Sequence, residues 1–269
     1  MKHIVYVLTL AFAMMASTAL AQTESHFCDL VSINGKNYPA TNIAQKGDMT
    51  ILSVEDHVIA SIATQHPQNQ EAIALSGKII YNVAGKLTTD LVDMAVNAKQ
   101  LNLYGSVNNS DIEKFGRNSN TLMGFTNGIL SANFVGVNGE DVTSLRDFLA
   151  NSGQATTVAF ENCNFANVED LSYVFERMVS LKSISFTGMG LTNKVNDLTR
   201  LLRACDNLQS IDFSGCDFSN VTNYYMMFGQ CPKLTEIKAI GCNEATIELL
   251  RKAIENNGQT GKVTLITAE

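Results

Sequence analysis

A spacing of 26 to 31 residues governs this chain. Leu75, Leu103, Phe134, Phe160, Phe186, Phe213, Ala239 and Leu265 follow one another at intervals of 28, 31, 26, 26, 27, 26 and 26. Two residues before each stands a second apolar residue: Ile73, Leu101, Ala132, Val158, Ile184, Ile211, Ile237 and Val263. Two residues after, Gly77, Gly105, Gly136, Gly188, Gly215 and Gly241 recur, with Asn162 and Thr267 in the other two units. Apolar alternation of period two that stops at Gly is a short strand entering a turn.

The rest of each unit repeats as well. Val221, Tyr224, Met227, Phe228 and Cys231 lie at i, i+3, i+6, i+7 and i+10. Val195, Leu198, Leu201, Leu202 and Cys205 match them, as do Val168, Leu171, Val174, Phe175 and Met178. Val142, Leu145, Phe148 and Leu149 match in part, and so do Ile247, Leu250, Ala253 and Ile254. Such offsets share one face of an α-helix. Asp141, Asn167, Asn220 and Thr246 precede the first apolar position, where an N-cap oxygen accepts orphan backbone N–H groups. The predicted unit is strand, turn, helix.

No such unit folds alone, because one strand and one ten-residue helix cannot offset their ordering entropy. Stacked neighbours give each apolar row a continuous core, with the strands in one parallel sheet. The predicted organisation is a signal peptide over 1–21, an amino-terminal cap over 22–70, and a repeat array over 71–269 closed by a strand at Lys262–Ile266. Ile33-Asn34-Gly35-Lys36 marks a hairpin in the cap, and Val54–Ala63 is expected to be a helix.

Leu208-x-x-Ile211-x-Phe213-x-x-Cys216-x-Phe218 follows the leucine-rich-repeat pattern L-x-x-L-x-L-x-x-C-x-L. Ile211-Asp212-Phe213-Ser214-Gly215, Asn220-Val221-Thr222-Asn223, Met227-Phe228 and Cys231-Pro232-Lys233-Leu234 extend the match. This run resembles the BspA-like leucine-rich-repeat surface proteins of Bacteroidetes and some other bacteria. The resemblance is close in that unit, partial at Val158–Met178 and Ile184–Cys205, and carried by phase elsewhere. It implies an α/β solenoid, with a parallel sheet on the concave side and helices on the convex side. It also implies export, adhesion or protein binding, and no catalysis.

The amino terminus agrees with export. Lys2 supplies a positive start, Ile4–Met15 an apolar stretch, and Ala19-Leu20-Ala21 a cleavage signal before Gln22. The apolar run breaks at Ser17-Thr18, short of a membrane span. No second apolar span follows, so no membrane insertion is expected after cleavage. Without Lys2 the chain carries 18 basic and 26 acidic residues, a net charge of −8. That balance disfavours phosphate backbones, so nucleic acid is not an expected partner. The absence of Trp weakens a sugar-binding reading.

His26, His57 and His66 remain after cleavage, and none adjoins a nucleophile, zinc or phosphate-loop motif. No cofactor is expected. Cys163, Cys216 and Cys242 share one repeat position, and Cys205 and Cys231 another, so they read as buried thiols in a core ladder. A Cys216–Cys242 bridge is not forbidden by the distance between adjacent strands, but parallel Cβ vectors disfavour it. The outward strand positions are the candidate site: Asn102, Tyr104, Asn133, Glu161, Asp212 and Lys238. The expected function is an exported protein-binding or adhesin-like module whose partner is a host or bacterial surface protein. The alternative is a structural cell-envelope repeat protein without a ligand site.

Overall fold

The structure, a computed structural model, describes residues 24–33, 36–46, 49–54, 57–63, 73–116 and 128–268. The leader expected over 1–21, His66, and residues 117–127 lie outside the described residues. The chain is a strand-rich α/β protein with few helices.

Its first part is antiparallel. Strands β1 (His26–Ile33) and β2 (Lys36–Ala40) flank Asn34-Gly35 and pair with Ile33 opposite Lys36. Strands β3 (Asn42–Lys46), β4 (Met49–Val54) and β5 (His57–Ala63) form a separate three-stranded sheet. Where a helix was expected over Val54–Ala63, Val54 ends β4 and His57–Ala63 is strand β5. Its Val58, Ile59 and Ile62 are β-branched, and β4, with Thr50, Leu52 and Val54 buried, supplies a ladder for it.

Strand β6 (Ile73–Asn82) joins β1 to the repeats. Helix α1 (Thr89–Asn97) leads to β7 (Gln100–Asn108), which is followed by helix α2 (Asn109–Gly116). Then come β8 (Ser131–Val135), β9 (Asn138–Asp141) and β10 (Thr157–Glu161). Strand order in this sheet is β10-β8-β7-β6-β1-β2, with β9 beside β7. A second sheet runs β11 (Ser183–Ser185), β12 (Ser210–Asp212), β13 (Glu236–Lys238) and β14 (Thr264–Ile266). The repeat strands from β6 to β8, then β10, and again from β11 to β14 pair in parallel.

The expected register holds through the middle. Leu103 faces Phe134, Phe134 faces Phe160, and Ile184, Ile211 and Ile237 share one row. It fails at both ends. Ile80, not Leu75, faces Leu103, because β6 is longer than a repeat strand. Ile237 faces Leu265, so the last unit is offset by two residues and Val263 precedes the strand. At the carboxy-terminal end the shift of two preserves the inward face, and at the amino-terminal end Ile80, Leu103 and Phe134 are all buried.

The phenylalanines stack through the interior. Ring centroids are 4.8 Å apart for Phe134–Phe160 and 4.7 Å for Phe186–Phe213. Between the sheets the chain of rings passes through Phe175, 6.2 Å from Phe160 and 5.8 Å from Phe186. One continuous core results, reaching from Ile80 to Ile254. Burying each such ring is worth about 1.5–3 kcal/mol.

The expected repeat helices are replaced by turns in four units. Residues 146–151, 172–177, 199–204 and 225–230 carry two columns of left-handed backbone. Asp147, Tyr173, Arg200 and Met226 form one, and Asn151, Arg177, Ala204 and Gln230 the other. Alternate N–H groups donate to the following unit: Leu145 to Asp170, Asp147 to Ser172, Leu149 to Val174, and onward through Ala204 to Gly229. The intervening N–H groups close locally, as Phe148 to Leu145 and Ala150 to Asp147. A ten-residue helix is marginal, whereas this lateral ladder satisfies the same groups against a neighbour. The apolar spacing fits both. Where the following unit supplies no turn segment, the backbone closes on itself as helix α3 (Glu244–Asn256). Asn243, not Thr246, caps α3; Thr246 instead accepts the Phe218 N–H at 2.8 Å. Asn167 and Asn220 likewise donate to the preceding unit, to the carbonyls of Glu140 and Asn193.

Candidate functional site

The six outward positions do not form one site. Asn102, Tyr104, Asn133 and Glu161 lie on the first sheet, and Asp212 and Lys238 on the second. Asn102 is buried, and donates to the Lys78 carbonyl at 2.5 Å while accepting from Asn133 at 2.7 Å. This pair is a structural amide ladder. Tyr104 is half-buried and stacks on Tyr81, centroids 5.8 Å apart. Burial, and then the neighbouring Tyr38, push its phenol above the ordinary value. Glu161 is exposed. Asp212 and Lys238 are register partners, but Asp212 accepts the Ser214 N–H at 2.9 Å, while Lys238 lies 3.8 Å from Glu236. Of the six, Glu161, Asp212 and Lys238 present charge to solvent on the strand face, together with exposed Thr187.

The thiols sit in the core as expected. Cys163, Cys205, Cys231 and Cys242 lie 3.3, 3.2, 3.0 and 3.2 Å from the carbonyls of Phe134, Phe175, Leu202 and Phe213 in preceding units. All six are free, Cys216 and Cys242 included. Burial pushes Cys28 up to about 11 and Cys216 to about 12, and a hydrogen bond with Cys231, followed by burial, raises Cys205. These three raised thiols are poor nucleophiles in this state. His57 falls in β5, and no group of three or more metal-ligating side chains occurs among the described residues.

The opposite, turn-bearing face holds what the sequence reading missed. Arg146 and Arg200 flank the Tyr173 ring, with guanidinium carbons 4.7 and 5.4 Å from its centroid. Arg203 pairs with Glu176 at 2.7 Å in a largely buried contact. These residues, with Asp147, Asn151 and Arg177, line a cleft of about 300 Å3. The signal was present: four of the six arginines fall between 146 and 203, in the second halves of consecutive units. Assigning those halves to helices hid their convergence.

No protein-family model and no curated protein matches the chain. Among solved structures, the crystal structure of TLR13 in complex with ssRNA13 matches with 11% identity and a TM-score of 0.20. The match covers 69% of this chain and 35% of that one, so the chain spans about a third of its length. At that TM-score the likeness carries no inference.

Proposed function

We propose that this chain is an exported, non-catalytic binding module of the BspA-like leucine-rich-repeat kind, a short solenoid that engages a protein through its strand face. The observation that carries the reading is the in-register stacking from β7 to β10 and from β11 to β14, which repeats side chains at fixed spacing on one face. Equivalent residues on adjacent strands lie about 4.8 Å apart. Glu161 stands on the first of these sheets and Asp212 and Lys238 on the second, with exposed Thr187 just beyond β11, while the apolar rows behind them form one core. The leader-like sequence over 1–21 supports export, and the Asn-Val-Thr-Asn and Met-Phe segments support the family. The partner is a surface protein of the bacterium or its host.

Proximity labelling on intact cells tests this. The tagged wild type is compared with a Glu161→Ala, Thr187→Ala, Lys238→Ala variant of equal melting temperature. A defined set of surface proteins labelled by wild type and lost in the variant is expected. Identical labelling by both, or a tag confined to the cytoplasm, refutes the reading.

A further inference from the structure

The arginine-lined cleft on the turn face is, we propose, a binding site for a phosphate dianion, free or carried as a monoester. It stands apart from the strand face and does not depend on what binds there.

Charge comes first. The chain as a whole is acidic at −7, yet Arg146, Arg177, Arg200 and Arg203 converge with only Asp147 and Glu176 among them, leaving +2. A phosphate monoester carries about −1.5 to −2 at neutral pH, and arginine forks bind such oxyanions in bidentate geometry. Glu176 is committed to Arg203, and Arg146 lies 3.8 Å from Asp147 while donating to Ser172 at 3.0 Å. Arg177 and Arg200 make no ion pair among the described residues.

Unsatisfied groups give a second, independent sign. Three buried side-chain polar atoms lack a hydrogen-bond partner among the described residues: Thr199 Oγ1, Arg200 Nε and Arg203 Nε. All three belong to one segment of the cleft region. Buried polar atoms are nearly always paired, so their concentration beside an uncompensated positive cluster marks a place where an acceptor belongs. Both Arg146 and Arg200 set their guanidiniums against the Tyr173 ring, which restrains where their forks stand. The cleft, about 300 Å3, holds a phosphoryl group with part of its carrier.

Calorimetric titration of the purified chain at low salt tests the site with inorganic phosphate, a hexose 6-phosphate and inorganic sulfate. Hexose 6-phosphate affinity is expected to rise between pH 5.5 and 7.5 as its second proton leaves, with a pKa of about 6, inorganic phosphate affinity to rise at somewhat higher pH, and sulfate affinity to stay level. Arg146→Gln and Arg177→Gln alter exposed side chains and should each weaken phosphate binding about ten-fold or more without moving the melting temperature. Arg200→Lys should weaken it less than Arg200→Gln, and Lys182→Gln should change nothing. Binding of the hexose phosphate alone assigns the site to a phosphorylated carrier, and equal binding of both assigns it to the free anion. No binding of either, unchanged affinity in Arg146→Gln and Arg177→Gln, or a flat phosphate pH profile overturns the proposal.

Discussion

Cys216 shows how the stacked interior sets the chemistry of single residues. It shares a column with Cys163, Met189 and Cys242, and it is buried. Burial holds its thiol neutral to about 12, against an ordinary 9.0. Between these values the unfolded chain has lost a proton that the folded chain keeps. The unfolded state then binds fewer protons, so stability is full below pH 9 and falls as pH rises toward 12. Cys28, raised to about 11, acts in the same direction. Cys216→Val keeps an apolar side chain in a column that also accepts Met189, and it removes the titration. Urea midpoints at about pH 8 and pH 10.5 should therefore fall less in the variant than in wild type. An equal fall in both would show that Cys216 is ionised in the folded state. Tyr104 is constrained in a related way: at an outward strand position its ring stacks on Tyr81.

Much of the element scale was legible and part was not. Apolar rows and strand ends follow from period-two alternation and Gly, because those signals are local. Asn162 even takes the left-handed turn that Gly105, Gly136, Gly215 and Gly241 take in the same column, with φ of 52°. The turn tier was illegible because spacings of three and four residues suit both an α-helix and a run of turns. The choice between them is made by the neighbouring unit, whose carbonyls accept the N–H groups. The outer registers were illegible because the long strand β6 offers several apolar residues to face Leu103. The site was half legible for a similar reason: outward positions could be counted, but not which were buried by neighbours. One column position separates two kinds of glycine. A Cβ on Gly188 would lie 2.0 Å from the Phe160 carbonyl oxygen, at the joint between β10 and β11. One on Gly215 would meet nothing within 4 Å and suffers only from its φ of +74°. Gly188→Ala should cost about 3 kcal/mol by forcing backbone apart, and Gly215→Ala about 1–2 kcal/mol. Denaturant midpoints measure both. Equal costs would mean that the β10–β11 contact gives way freely.

That joint decides how the whole molecule unfolds. Strand pairing stops between β10 and β11, so the repeat strands fall into two sheets, and that division invites two transitions. The turn tier argues otherwise. The unit that contains β10 donates from Leu171, Tyr173, Phe175 and Arg177 to Asp197, Thr199, Leu201 and Arg203 of the unit that contains β11. The Cys163 N–H reaches the Gly188 carbonyl at 2.9 Å, and Phe165 reaches Met189 at 3.0 Å. Phe175 bridges the ring stack across the same gap. Opening the joint would break this lateral ladder and expose core rows on both sides. In a nearest-neighbour array, that interface strength sets cooperativity. Equilibrium unfolding of wild type should therefore be one transition. The chain has no Trp, so the probes are tyrosine emission and far-UV circular dichroism, which should coincide. Phe175→Ala removes the bridging ring at a cost of about 3–5 kcal/mol and should separate the two halves into distinct steps. A biphasic wild type would show that the sheets, and not the turn tier, are the cooperative units.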